Sequence, residues 1–132
     1  MRAIKFSYVR YKDKVAPVIW FRVKFKQKWH TVWAYVDSGA TFTILTAKEA
    51  DRIGLDYQKG KQVMVTVGDG GAIPVYIHKL QAMIGDKIFK ATIGFSPRLG
   101  IGFNLLGRHD IFNRFDVTFS DSNQSVIFRP IR

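Results

Sequence analysis

One acidic turn, Asp37-Ser38-Gly39, lies between two apolar stretches, residues 33–36 and 42–45. An ionised carboxylate can take a proton from water, and a protonated one can polarise a carbonyl group. A carboxylate between apolar strands is costly unless it is paired or hydrogen-bonded. The alternative is a polar β-turn in which Asp37 bonds its own backbone and Gly39 supplies an unusual φ. The triplet arises by chance in about one in twenty chains of this length. Its flanking sequence must therefore decide between a catalytic carboxylate and a polar turn.

The elements around this turn are predicted to be mostly strands. Side chains alternate between apolar and polar along residues 18–26, which is the period of a half-buried strand. Apolar alternation on both sides of Gly68-Asp69-Gly70-Gly71 predicts a β-hairpin. Thr46 and Glu49 have the spacing of a capping box, and Gly54 is placed to end the helix that follows. The expected strands are 18–26, 29–37, 42–45, 62–67, 73–77, 80–84, 87–93, 115–119 and 125–128, and the two short helices are 47–53 and 109–113.

Composition narrows the class of protein. A length of 132 residues and an apolar content of 47% suit a single folded domain over residues 1–132, with 1–17 as a peripheral, basic extension. The absence of cysteine excludes disulfides and thiol catalysis. No apolar run is long enough for a signal peptide or a membrane span, so we expect a soluble, cytoplasmic protein without membrane contact. The three histidines lack metal-ligand spacing, so no metal site is expected.

The order of three motifs resembles the retropepsin-like aspartic proteases. These are Val36-Asp37-Ser38-Gly39-Ala40-Thr41, the glycine-tipped hairpin, and Asn104-Leu105-Leu106-Gly107-Arg108, and the resemblance spans roughly residues 18–130. It implies a closed β-barrel-like acid-protease fold and an aspartic endopeptidase without a cofactor. Since the chain carries one motif where two-lobed relatives carry two, it also implies a homodimer with one Asp37 from each subunit. The polypeptide substrate would be cut by water held between these carboxylates.

The resemblance also implies a role for each matching residue. Asp37, Ser38 and Gly39 would form the catalytic motif, with the Ser38 hydroxyl bonding across the dimer axis and the Gly39 amide holding the carboxylate. Residues 68–72 would form a flap over the peptide. In viral members an arginine at the position of Arg108 pairs with an acid, but this chain has Thr41 and Phe42 there, so that ion pair must be absent or differently made. The substrate-binding candidates are Ala40, Gly68, Asp69, Gly70, Gly71, Ala72, Phe103 and Leu105.

A second interpretation follows from the net charge of +11, which is concentrated in residues 1–30. Small basic β-barrels bind single-stranded nucleic acid by stacking bases on aromatic rings beside a positive groove. The opposing interpretation places Lys and Arg at the surface and Trp and Phe in the core, and the alternation favours it. Weak nucleic-acid binding would use the N-terminal stretch of Trp20, Arg22, Lys24, Phe25, Lys26, Trp29 and His30.

Overall fold

The computed structural model describes residues 2–68, 70–99 and 102–131. Within these residues the protein is mostly β, as predicted, with one α-helix, α1, and one short 3₁₀ helix at Tyr57–Lys59. The elements are β1 (Ile4–Ser7), β2 (Val9–Tyr11), β3 (Lys14–Ala16), β4 (Val18–Phe25), β5 (Lys28–Val36), β6 (Thr43–Thr46), α1 (Ala47–Ile53), β7 (Lys61–Thr66), β8 (Ala72–Ile84), β9 (Lys87–Ser96), β10 (Leu105–Leu106), β11 (Phe115–Ser120) and β12 (Ser125–Pro130).

The largest sheet closes on itself. Its strand order is β4-β5-β10-β6-β9-β8-β7, and β4 also pairs with β8 through the register Val23↔Ala82. The closure agrees with the barrel-like fold that the sequence predicts. Strand β8 runs without a break through residues predicted as two separate strands, because its successive segments pair with β7, β9 and β4. Strand β9 extends beyond the predicted range of 87–93 as far as Ser96, which still pairs in parallel with Thr46.

The period-two alternation of β4 explains the core. Phe21 and Val23 point inward and are fully buried against Val32 and Ala34 of β5. Burial of such side chains contributes about 1.5–3 kcal/mol each. A second, smaller apolar cluster forms around Ile44, which connects β6 to the strands of the glycine-tipped hairpin. The main core therefore holds the ring together, while the smaller cluster lies beside the Asp37 turn.

Helix α1 begins and ends where the sequence predicts. The Thr46 hydroxyl accepts a hydrogen bond of 3.2 Å from the Glu49 amide, and Gly54 ends the helix at a φ of 81°. The predicted second helix at 109–113 is wrong, because these residues form turns. The amides of Ile111 and Phe112 both bond the Arg108 carbonyl, but Asp110 has a φ of 66°, which interrupts helical geometry.

The N-terminal strand β1 pairs with the C-terminal strand β12. This pairing is antiparallel, and β11 pairs with the other side of β12, so that β12 is the central strand of a small sheet. Phe6 of β1 is buried in the main core and packs edge-on against Phe128 at 5.8 Å. The extension expected to be peripheral therefore contributes both a strand and a core residue. No helix in the described ranges is both long and apolar enough to cross a membrane.

Candidate active site

Asp37 follows β5 directly and begins a tight turn. Its amide donates to the Leu106 carbonyl at 2.9 Å, and its carbonyl accepts from the Ala40 amide at 3.1 Å. Its carboxylate oxygen Oδ1 accepts a hydrogen bond of 2.9 Å from the Gly39 amide. The half-buried carboxylate is therefore held by its own turn, which answers the need for a hydrogen-bond partner.

At Gly39 the space beside the carboxylate is tight, and the φ is not positive. A Cβ atom at this position would lie 3.3 Å from Asp37 Oδ1, and Gly39 does not belong to the glycines with positive φ. The turn thus combines both sequence interpretations: Asp37 does bond its own backbone, but the expected unusual φ at Gly39 is wrong. Ser38 is exposed at the tip of the turn.

A second chain segment, residues 106–109, lies directly against the Asp37 loop (residues 37–42). The amides of Arg108 and His109 donate to the carbonyls of Ala40 and Thr41 at 2.9 and 2.8 Å. A Cβ atom on Gly107 would lie only 2.2 Å from the Phe42 carbonyl oxygen, so no larger residue fits without moving the loop. This close backbone approach explains why a glycine follows the two leucines of β10.

Asn104 fixes the position of β10 between β5 and β6. Its side-chain oxygen accepts from the Thr46 amide at 2.9 Å, and its side-chain nitrogen donates to the Trp33 carbonyl at 2.8 Å and to Glu49 at 3.1 Å. The side chain is buried, so these bonds replace lost water contacts. Asn104 thereby connects β5, β6 and helix α1. It lies directly before β10, which leads into the segment that contacts the Asp37 loop.

A cavity of about 330 Å³ separates the Asp37 loop from the glycine-tipped hairpin (residues 66–72). Asp37 and Gly39 lie on one side, and Gly68 lies on the other. Leu105, predicted to line a side-chain pocket, contributes to this cavity, as does Ala40. The lining residues are Asp37, Gly39, Ala40, Thr41, Phe42, Ile44, Val65, Thr66, Val67, Gly68, Leu99 and Leu105.

Phe103 lies in an adjoining cavity of about 240 Å³, which it lines together with Tyr35, Asp37 and Leu105. The Phe103 ring packs against Tyr35 at a centroid distance of 5.9 Å and against Tyr11 at 4.4 Å. The two cavities share Asp37 and Leu105 as lining residues, so they adjoin at the carboxylate, and together they are called the cleft here. The structure thus brings Asp37, Gly39, Ala40, Gly68, Phe103 and Leu105 together.

The glycine-tipped hairpin is closed by backbone bonds from Val67 to Gly71 at 2.8 Å and from Gly70 to Val67 at 2.9 Å. Gly70 has a φ of 88°, which favours glycine. Gly70, Gly71 and Ala72 are exposed, beyond the cavity-lining Gly68. Asp69, also predicted to contact substrate, lies outside the described residues.

Similarity to known proteins agrees with this geometry. A family model described as an aspartyl protease matches residues 21–91. The chain belongs to the aspartyl protease family. No curated protein sequence matches it.

Comparison with solved structures identifies the fold of this aspartyl protease family member. It is similar to a retropepsin-like aspartic protease from Rickettsia conorii, with a TM-score of 0.68 and 21% identity over 96% of this chain and 91% of that one. It is also similar to EIAV protease in complex with the inhibitor HBY-793, with a TM-score of 0.56 and 19% identity over 80% of this chain and 92% of that one. The fold is therefore retropepsin-like.

Arg108 supports the Asp37 loop without the acidic partner used in viral retropepsins. Its guanidinium donates to the Ser38 carbonyl at 3.2 Å and lies 5.1 Å from the centroid of the Phe112 ring. Neither described ion pair, Arg52–Glu49 or His109–Asp110, includes it. In place of a carboxylate, the Arg108 guanidinium contacts a backbone carbonyl and an aromatic ring.

A larger depression of about 520 Å³ lies behind the Asp37 loop, where Arg108 and Asp110 line it. Burial opposes ionisation of Asp110, but hydrogen bonds from Thr92, including one of 2.8 Å from its amide, outweigh it and lower the pKa of this carboxyl. This acid is occupied in holding the turn against β9. Among the residues described, no group of three His, Asp or Glu could hold a metal ion.

Sequence reasoning missed the tyrosines around the cleft. Tyr8, Ser38 and Asp121 line a third depression of about 290 Å³ beside the Asp37 turn. The Tyr8 hydroxyl donates to Asp121 at 2.7 Å, and burial together with this bond raises the pKa of Tyr8 to about 12. Tyr8 and Tyr11 come from the N-terminal extension, where no motif or spacing marked them.

Proposed function

We propose that the protein is an aspartic endopeptidase that acts as a homodimer. The observation that carries this proposal is the cleft in which the Asp37 carboxylate, held by Gly39, faces the base of the glycine-tipped hairpin. An extended peptide in this cleft would have its backbone beside Asp37 and its side chains near Leu105 and Phe103. The family of the chain and its retropepsin-like fold support the same assignment.

The chemistry requires two carboxylates, and one chain supplies one Asp-Ser-Gly motif. Two carboxylates about 3 Å apart cannot both ionise, so the pair holds one proton. The ionised member takes a proton from the attacking water while the protonated member polarises the scissile carbonyl, and the proton then passes to the leaving amine. The titration belongs to the pair, not to either Asp37 alone. A monomer would therefore be inactive.

The dimer would not use the edges of β12. Viral retropepsins use both chain ends as interface strands, but here β12 already has β1 on one side and β11 on the other. Addition of a strand from a second subunit needs an unpaired edge. The outer edges of β1 and β11 are the remaining candidates in this small sheet. Because β12 is already paired on both sides, the dimer interface should differ from that of viral retropepsins.

The decisive experiment measures cleavage of a mixed-sequence peptide library from about pH 3 to 8, with Asp37→Asn in parallel. Cleavage should depend on Asp37 and rise faster than linearly with protein concentration. At protein concentrations high enough for dimers to predominate, wild type mixed with an equal amount of Asp37→Asn should retain about half of its activity, because random pairing places half of the wild-type subunits in one-carboxylate dimers. Cleavage by Asp37→Asn alone would overturn the proposal.

A second function is favoured by one observation on the outer face of β4 and β5. Trp20 and Trp33 are direct cross-strand partners and are 38% and 51% exposed, although the sequence favoured tryptophans in the core. Arg22 lies over the Trp20 ring at 5.3 Å, so aromatic rings and positive charge meet on one surface. Stacking rings beside cations are typical of single-strand nucleic-acid binding.

This binding function would be independent of Asp37. A single-stranded oligonucleotide should quench tryptophan fluorescence, and the affinity should fall steeply with salt. Trp20→Ala with Trp33→Ala should abolish the binding, while Asp37→Asn should leave it unchanged. Salt-insensitive binding, or binding unaffected by the tryptophan changes, would exclude this surface.

A further inference from the structure

The N-terminal hairpin, made of β2 and β3, is a small sheet of its own. Its strands pair from Val9↔Ala16 to Tyr11↔Lys14, which leaves Lys12 and Asp13 as the two-residue turn. Both turn residues have positive φ, 49° and 63°, as two-residue hairpin turns of type I′ require. The tip therefore has a defined position relative to Tyr11.

Tyr11 connects this hairpin to the candidate cleft. Its ring lies 4.4 Å from the Phe103 ring, centroid to centroid, and Phe103 lines the cavity that contains Asp37 and Leu105. Aromatic pairs at this distance contribute roughly 0.5–1.5 kcal/mol beyond the area that they bury. The hairpin is thus packed against the outer end of the cleft on its Phe103 side.

The hairpin carries excess positive charge to that point. Arg10, Lys12 and Lys14 are exposed, and Asp13 is the single acid among them. In the described ranges none of the three cations forms an ion pair. The Lys12 ammonium lies 5.3 Å from the centroid of the Tyr11 ring, the same ring that packs on Phe103. Screening by salt weakens such charges over about 8 Å at physiological ionic strength, so their effect should be limited to peptide side chains near the hairpin.

We propose that the N-terminal hairpin selects peptide substrates that carry acidic side chains near the scissile bond, on the Phe103 side of the cleft. This inference rests on the proposed peptidase function. Lys12 in the turn and Lys14, the cross-strand partner of Tyr11, attract the acidic side chain, while Tyr11 and Phe103 hold the cationic tip at the cleft. Exposed ion pairs are individually weak, so the preference for Glu over Gln should be about three- to tenfold in total.

The test uses two peptides that differ only in Glu or Gln two to four residues from the scissile bond. The ratio of their kcat/KM values is measured for the wild type and for the double variant Lys12→Gln, Lys14→Gln. A matched control neutralises two exposed cations outside the cavities at Asp37, with Lys28→Gln and Lys90→Gln. We expect the ratio to fall to about one in the hairpin variant and to persist in the control.

The same peptides are also titrated by fluorescence anisotropy against proteins carrying Asp37→Asn, with and without the hairpin changes. This binding ratio reports the preference even if the wild type cleaves nothing, so failure of the peptidase function and failure of the selection are distinguishable. Equal effects of the hairpin and control variants would overturn the proposal. So would a hairpin variant that gains activity on both peptides, because the hairpin would then obstruct the cleft.

Discussion

The two sides of the cleft are held in very different ways. The Asp37 loop is bonded to residues 106–109 through the amide of Asp37, the carbonyls of Ala40 and Thr41, and the guanidinium of Arg108 on Ser38. The glycine-tipped hairpin is closed by backbone bonds that join Val67 to Gly70 and to Gly71, and Gly70, Gly71 and Ala72 are exposed. Local backbone openings are most frequent where buried contacts are few. We therefore expect the Asp37 carboxylate to be held in place and the opposite wall to open more readily.

The largest effect is expected where the Asp37 loop is most tightly packed, at Gly107. Gly107→Ala would place a methyl group against the Phe42 carbonyl, so we expect a loss of about 3 kcal/mol or more in the free energy of unfolding. Chemical denaturation measures this loss. The matched change in the opposite wall is Gly68→Ala, which meets no atom within 4 Å.

Gly68→Ala should change stability by at most about 0.5 kcal/mol. Equal losses from the two glycine changes would contradict the difference between the two walls. Substrate cleavage by the Gly107 variant should fall as well, because the displaced Phe42 backbone belongs to the loop that carries Asp37.

A somewhat smaller effect is expected at Asn104, which positions β10 below the same loop. Asn104→Ala removes the bonds from a buried side chain to the partly buried Thr46 amide and Trp33 carbonyl, so we expect a loss of about 2–3 kcal/mol. Asn123→Ala is the control, because that side chain is exposed and bonds only Ser120. A loss below about 0.5 kcal/mol at Asn104 would show that β10 is held by its strand pairing alone.

The smallest effect depends on pH and concerns Asp110, behind the Asp37 loop. Its pKa is lowered in the folded state, so its contribution is present above the unfolded pKa of 3.8 and is lost as pH falls through the folded pKa. Asp110→Asn should therefore cost about 1–2 kcal/mol at neutral pH, with the difference from wild type shrinking below about pH 4. Thermal unfolding from acid to neutral pH measures it. A difference that is constant with pH would mean that the charge contributes nothing.

Local signals allowed much of this structure to be predicted from the sequence. The capping box at Thr46 and Glu49 and the glycine at position 54 located helix α1 because caps depend on neighbouring residues. The Asp-Ser-Gly turn and the glycine-tipped hairpin were found for the same reason. The expectation for 109–113 failed because a tertiary bond from the Thr92 amide to Asp110 competes with helical geometry.

Contacts between distant segments left no such signal. The pairing of β1 with β12, the packing of Tyr11 on Phe103 and the bond from Tyr8 to Asp121 join residues that no periodicity relates. The alternation in β4 correctly buried Phe21 but could not show that Trp20 and Trp33 stay partly exposed, because exposure depends on which distant segments, such as Phe6 beside Trp20, pack on that face. The packing of the N-terminal hairpin against the cleft could not be predicted from the sequence for this reason.

The pairing of β1 with β12 also sets an order of events during protein synthesis. Strand β1 is synthesised before the strands β2 to β11, but its partner β12 is synthesised after them. At typical translation rates, roughly 6 to 25 seconds pass between the synthesis of β1 and that of β12. During this interval Phe6 lacks its contact with Phe128. The ring of β4 to β9 can form during this interval. The N-terminal hairpin also needs a late partner, because Tyr11 packs on Phe103, so the outer end of the cleft can form only after most of the ring has been synthesised.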